Sequence, residues 1–216
     1  MSKVIVFGAT GYAGSVIAAE LVSRGHYVQG VARRSPETAP EGVSFITGSV
    51  HDAEVVRAAV AGADVVVLSL PASATEEGGP RLVEAIPAVV DAVISAGARL
   101  GVVGGAGSLN AFEGGPQVMD IDAFPAEFRP EAQNHADVLQ ALREGPADLD
   151  WFYLSPAGGF GAWAPGERTG TFRLGGDVLL SDDQGQSNIS GADYAIAFVN
   201  EIEQPAHSRQ RFSVAY

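Results

Sequence analysis

Residues 4–15 read Val4-Ile5-Val6-Phe7-Gly8-Ala9-Thr10-Gly11-Tyr12-Ala13-Gly14-Ser15, and the order of motifs in this stretch decides the fold. Residues 4–7 are an apolar, β-branched-rich run of strand length. Residues 12–24 carry apolar side chains at helical spacing, with Gly25 placed to close the helix. Between them stands G-x-x-G-x-x-G. A strand, a glycine turn and a helix in immediate succession form the context of a dinucleotide fingerprint. Gly8 permits the tight turn, Gly11 admits close approach of backbone to a pyrophosphate, and Gly14 lets the helix pack on the sheet. The free N–H groups of the first helical turn supply the anion site.

The same alternation continues along the chain. Strands are expected at 27–32, 43–47, 64–70, 99–103, 151–154 and 212–215. Helices are expected at 53–60 with Asp52 as cap, at 80–96 with Pro87 kinking or splitting it, at 132–143, and at 190–203. In the last helix Ser190 is the cap, and Asp193 stands where a capping box has Glu. Residues 169–174 and 177–180 flank Gly175-Gly176 and read as a hairpin. Strands that are apolar on nearly every position belong to a parallel sheet covered on both faces. The expectation is a single α/β domain over residues 1–216: a doubly wound, Rossmann-type NAD(P)-binding parallel sheet with a small C-terminal hairpin and helix. Its ligand binds at the carboxyl ends of the strands.

The end of the second strand reads Val31-Ala32-Arg33-Arg34-Ser35, with no carboxylate before Glu37. An acid here bonds the ribose 2′-hydroxyl of NAD, whereas arginine accommodates the 2′-phosphate of NADP. Arg33 and Arg34 can pair with a phosphate or stack on adenine, so NADP(H) is expected in preference to NAD(H).

The chain has 216 residues and a formal net charge of −13, with no cysteine. Disulfides and cysteine-based metal sites are excluded. The acidic balance argues against a sequence-independent grip on nucleic acid and against an anionic membrane face. No apolar run reaches the roughly 20 residues that span a bilayer, and the N-terminal run is too brief for a signal peptide. A cytoplasmic protein is expected. Four scattered histidines give no metal-ligand spacing, so no metal is expected. Asp182-Asp183-x-Gly185 reads as a turn rather than a calcium loop.

The stretches VIVFGATGYAGS (4–15), DVVVLSLPA (64–72), GVVGGAGSL (101–109), DWFYLSPAGGF (150–160), GDVLLSDDQGQSNISGADYAIAFVNEIE (176–203) and QRFSVAY (210–216) resemble the atypical short-chain dehydrogenase/reductase superfamily. Within it the chain is most similar to small bacterial proteins of the NADH-flavin reductase type. Biliverdin/flavin reductases and nitrogen-repression-type regulators share the pattern more distantly. The resemblance implies that Gly8, Thr10, Gly11, Tyr12 and Ala13 line the pyrophosphate and that Arg33 meets the adenosine phosphate. It places Ser49 and Val50 beside adenine, where relatives often carry aspartate, and Leu70, Pro71 and Ala72 at the ribose. Gly104 and Gly105 come under the nicotinamide, and Ser155, Pro156, Ala157 and Gly158 at its carboxamide.

Superfamily dehydrogenases generally use a Tyr-x-x-x-Lys pair, in which lysine lowers the tyrosine's pKa. Lys3 is the only lysine here, so the pair cannot exist. Hydride transfer survives this loss when the acceptor is a flavin, a quinone or another conjugated ring, whose proton can come from solvent. His135, on the 132–143 helix, is a weak candidate acid, with an exposed helix histidine as the plainer reading. Tyr153 reads as a packed strand residue. Residues 108–129 and the loop within 156–190 form the expected substrate side, carrying Leu109, Phe112, Met119, Phe124, Phe160, Trp163 and Pro165. They can be an apolar lid, a cover for the core or a face for a protein partner or second subunit. Three functions follow: an NADPH-dependent reductase of a conjugated small molecule, a non-catalytic NADP(H)-sensing module, and, least favoured, a sugar-nucleotide epimerase or dehydratase.

Overall fold

The computed structural model describes residues 1–36 and 40–216, so Glu37 lies outside the described residues. Alternation along each strand builds two cores. In β1 (Lys3–Phe7), Ile5 and Phe7 point to one face, and Val4 and Val6 to the other. The same partition holds in β4 (Val65–Leu68), with Val66 and Leu68 against Val65 and Val67, and in β6 (Trp151–Ser155), with Trp151 and Tyr153 against Phe152 and Leu154. The first face is covered by α2 (Ala53–Val60), α3 (Leu82–Ala96) and α4 (Arg129–Arg143). The second is covered by α1 (Tyr12–Ser23) and α5 (Gly191–Glu203).

With β2 (Tyr27–Ala32), β3 (Val43–Thr47), β5 (Arg99–Val103), β7 (Arg173–Gly175) and β8 (Gln210–Ala215), the sheet has the order β3-β2-β1-β4-β5-β6-β8-β7. All neighbours are parallel except β7 with β8. The order reverses between β1 and β4, which sets a crevice at their carboxyl ends.

Several elements differ from expectation. β4 is shorter than 64–70: Asp64 and Ser69 make the last backbone bonds to Lys3 O and Phe7 O at its two ends, and Ser69 and Leu70 line the crevice. α3 runs unbroken through Pro87. α4 begins at Arg129 rather than 132, with Pro130 in its first turn, where the missing N–H has no helical partner to lose. The C-terminal antiparallel pair forms between β7 and β8, with Leu174 opposite Val214, rather than between 169–174 and 177–180. Residues 177–179 instead bridge to Asn110, whose amide donates to Asp177 O at 2.8 Å. Gly25 closes α1 at φ +82, as its position suggested. Half of the expected capping box is present at α5: Ser190 Oγ accepts the Asp193 amide at 3.0 Å. The Asp193 carboxylate turns away to take the amides of Thr169 and Gly170 and the hydroxyl of Tyr216.

At the opposite end of the sheet from the crevice, buried Arg99 donates to Glu201 Oε1 at 2.7 Å and to the Glu201 and His207 carbonyls. Glu201 also accepts the amides of Ala206 and His207 and contacts His207 Nδ1 at 2.7 Å. Burial raises the Glu201 carboxyl, but the bonds from His207 and Arg99 outweigh it and leave it below the usual carboxylate range. Removing one partner of a buried pair strands the other charge. Glu201→Ala is expected to lower stability by about 3–5 kcal/mol, read from urea unfolding at neutral pH; a loss below about 1 kcal/mol would contradict the pairing.

Candidate functional site

The glycine turn is fixed by contacts on both sides. Gly8 has φ +86, and a Cβ there would lie 2.0 Å from Ser69 O. A Cβ on Gly14 would lie 2.1 Å from Gly8 O. Gly11 differs: its amide donates to Gly8 O at 3.0 Å, and a Cβ there would meet only Gly8 O at 3.4 Å, ordinary contact. Two glycines therefore answer to packing, while the third leaves its outer side open. No side chain caps α1 and no acid stands in its first turn, so its amides face outward for an anion.

Beside this turn lies a cleft of about 260 Å³ at the carboxyl ends of β1, β2 and β4. It brings together eight of the expected residues: Gly8, Thr10 and Gly11 from the turn, Arg33, the pair Ser49 and Val50, and Leu70 with Pro71. It also includes Ser69, Ser73 and Thr75, which no local pattern marks, and His51, which beside the cap Asp52 reads locally as structure only. Arg33 reaches across to donate to Thr75 Oγ1 at 2.9 Å, a partner 42 positions away that no local pattern announces. Arg34 is exposed and does not line the cleft.

Other expected residues have different surroundings. The Tyr12 ring packs edge-on against Phe160, with centroids 5.4 Å apart, and its hydroxyl is buried against Gly191. Ala13 and Gly14 are buried in the first turn of α1. Ala72 is fully buried. Ser155, Pro156 and Ala157 are buried and Gly158 is exposed. Ser155 Oγ, at the end of β6, has no partner among the described residues, which suits an amide group of a ligand there.

Gly104 and Gly105 lack side chains because of what lies behind them. A Cβ on Gly104 would come within 2.0 Å of the Tyr153 ring, and one on Gly105 within 3.2 Å of His135. Tyr153 is therefore more than strand packing: its hydroxyl accepts the Gly105 amide at 3.1 Å and approaches His135 O at 3.2 Å and Nδ1 at 3.4 Å. Burial pushes its phenol well above the usual tyrosine value, with the Gly105 amide opposing. His135 is not an exposed helix histidine either, since its side chain is only 12% accessible. Its Nε2 lies 3.3 Å from Glu131 Oε1. Glu131 in turn accepts the amides of Ala72 at 2.7 Å and Ser73 at 2.8 Å. Partial burial raises the Glu131 carboxyl, but the bonds from His135, Ser73 and Ala72 outweigh it and hold it at about 2.

On the expected substrate side, Leu109 and Met119 are core residues, and Phe160 packs between Tyr12 and Tyr194. Phe112 and Trp163 are 62% and 73% exposed. Asp182 accepts the amides of Gln184 and Gln186, the turn expected of it. No helix among the described residues is long and apolar enough to cross a membrane.

A family model described as NAD(P)H-binding matches residues 8–205. Bacillus subtilis YwnB, an uncharacterized protein, is 36% identical over 214 residues, 98% of this chain and 97% of its own. A candidate exported protein of Burkholderia pseudomallei is 40% identical, with a TM-score of 0.86 over 100% of both chains. A candidate NADH-flavin reductase of Streptococcus pneumoniae is 33% identical, with a TM-score of 0.86 over 100% of this chain and 99% of its own.

Two predictions separate packing from binding. Gly14→Ala is expected to destabilise by about 3 kcal/mol, the upper range for overpacking. Gly11→Ala should keep the wild-type thermal midpoint within a few degrees yet bind nicotinamide dinucleotide at least tenfold more weakly. A third concerns acid. A carboxyl depressed in the folded state contributes stability above its unfolded value of about 4.3, and loses it as pH falls through the folded value. The urea-stability gap between wild type and Glu131→Gln should thus close as pH falls from about 4.3 toward about 2; a constant gap would place the charge elsewhere.

Proposed function

The chain belongs to the NAD(P)H-binding family, and from that premise we propose that it is an NADPH-dependent reductase passing hydride to a flavin, quinone or similar conjugated small molecule. The observation that carries this reading is that, among the described residues, no free acid/base group stands beside Gly104 and Gly105, the expected nicotinamide side; His51 lines the cleft at its other end, next to Ser49 and Val50. Lys3 is the only lysine, and both ring nitrogens of His135 face partners inside the protein. A conjugated acceptor needs no tuned protein acid, so orientation of two rings is the main contribution left to the protein. The likeness to a candidate NADH-flavin reductase supports the same reaction class.

The residues present fit the cofactor. The turn from Gly8 to Gly11 and the uncapped start of α1 would hold the pyrophosphate. Arg33, steadied by Thr75, would meet the 2′-phosphate. Val50, Leu70 and Pro71 would flank adenine and ribose, and the unpartnered Ser155 hydroxyl would serve the carboxamide. The bound nicotinamide supplies hydride. The chain itself binds, orients and shields, with Gly104 and Gly105 held in place from behind by Tyr153 and His135.

A second reading is favoured by exposed Trp163 and Phe112 on the substrate-side segments: a module that senses NADP(H) redox state and docks a protein partner through this apolar surface. Stopped-flow absorbance with NADPH against FMN, riboflavin and quinones separates the two. Oxidation above the uncatalysed rate with at least one acceptor is expected. Binding without turnover on any of them would favour the sensor. Arg33→Asp should weaken NADPH binding at least tenfold relative to NADH; an unchanged ratio would remove the basis for NADP preference.

A further inference from the structure

We propose that Glu131 is a positioning residue for the dinucleotide, tying the loop after β4 to the loop after β5 through His135 and Tyr153. The inference rests on the cofactor placement above and adds what sets its two halves relative to each other.

The observation is one continuous chain of hydrogen bonds joined by a carboxylate–imidazole contact at 3.3 Å. It starts at the consecutive amides of Ala72 and Ser73, both donated to the Glu131 carboxylate. It passes from Glu131 to His135 Nε2, one helical turn on, and from His135 Nδ1 to Tyr153 Oη. It ends where Tyr153 Oη accepts the amide of Gly105. The first amides directly follow Leu70-Pro71, and Leu70, Pro71 and Ser73 all line the cleft. Asn134, in the same turn of α4, donates to Ser73 Oγ at 3.0 Å and reinforces that end. At the other end, a Cβ on Gly104 would meet the Tyr153 ring at 2.0 Å and one on Gly105 would meet His135 at 3.2 Å, so neither position has room for a larger side chain without a shift.

β4 and β5 are neighbours in the sheet, and their carboxyl-terminal loops flank a dinucleotide laid across the crevice. The loop after β4 forms a wall of the adenosine-side cleft, and the loop after β5 is the expected nicotinamide side. Holding both on one helical turn fixes their separation before the ligand arrives, which lowers the ordering cost of binding. A carboxylate suits this task because one group can accept two charge-assisted amide bonds and a ring nitrogen together. The i, i+4 spacing of Glu131 and His135 places both on the same face of α4. His135 thereby acts as a strut, in keeping with a proton drawn from solvent.

The test uses the full chain and measures NADPH dissociation constants by fluorescence, together with the Gly105 amide signal in the cofactor-free protein by ¹H–¹⁵N NMR. Glu131→Gln and His135→Ala are each expected to raise the NADPH constant about tenfold. The double variant should do no worse than threefold beyond either, because both cut the same chain. The Gly105 signal should move in Glu131→Gln, although the substituted residue touches the other loop. Tyr153→Phe deletes only the hydroxyl and keeps the ring; it should raise the constant at least threefold and move the same signal, so a misfolded Glu131 variant does not shield the proposal. Unchanged constants in variants of a wild type that binds NADPH overturn it, as do fully multiplicative losses with an unmoved Gly105 signal. A wild type that binds neither NADPH nor NADH defeats the cofactor placement itself, a separate result.

Discussion

The close approach of Gly14 to the carbonyl of Gly8 is the contact on which the site depends. It seats α1 on the end of β1, with the hypothetical Cβ of Gly14 only 2.1 Å from Gly8 O. Because Gly8 is itself pressed against Ser69 O, the same turn sets where the chain leaves β4. Three strand ends are thereby gathered at one point, and the cleft between them follows. A side chain at Gly14 would push α1 away from the turn, and one at Gly8 would push the turn away from the end of β4.

A second constraint falls on α4. In this chain its first turn carries Glu131 and its second His135, and both face inward to the loops after β4 and β5. The helix offers no tyrosine–lysine pair; it carries a carboxylate and an imidazole that contact both loops. Both ring nitrogens of His135 thus face groups inside the protein. In a chain of net charge −13, Arg33 stands at the cleft, while Arg99 and Arg211 are buried in ion pairs with Glu201 and Asp177.

The sequence by itself determined the sheet and the glycine turn. Both rest on local rules: strands apolar on both faces belong to a buried parallel sheet, and a tight turn with positive φ and backbone where a Cβ would sit calls for glycine. β2, β3, β5 and α2 lie where their local patterns placed them. The absence of a Tyr-x-x-x-Lys pair was equally legible, since a single lysine at position 3 needs no coordinates.

Only the tertiary structure decided what the long-range partners do. Thr75 for Arg33, Glu131 for the amides of Ala72 and Ser73, and Tyr153 for Gly105 are separated by about 40 to 60 positions, and no periodicity encodes such pairs. β7 found β8 instead of its sequence neighbour for the same reason: an edge strand takes whichever open ladder the packed sheet presents, and the segment at 177–179 was already held by Asn110. Gly104 and Gly105 looked in the sequence like a flat surface for a ring, yet their lack of side chains also answers to Tyr153 and His135 behind them. A glycine's cause lies in the atom that would meet its Cβ, and that atom is brought there by the fold.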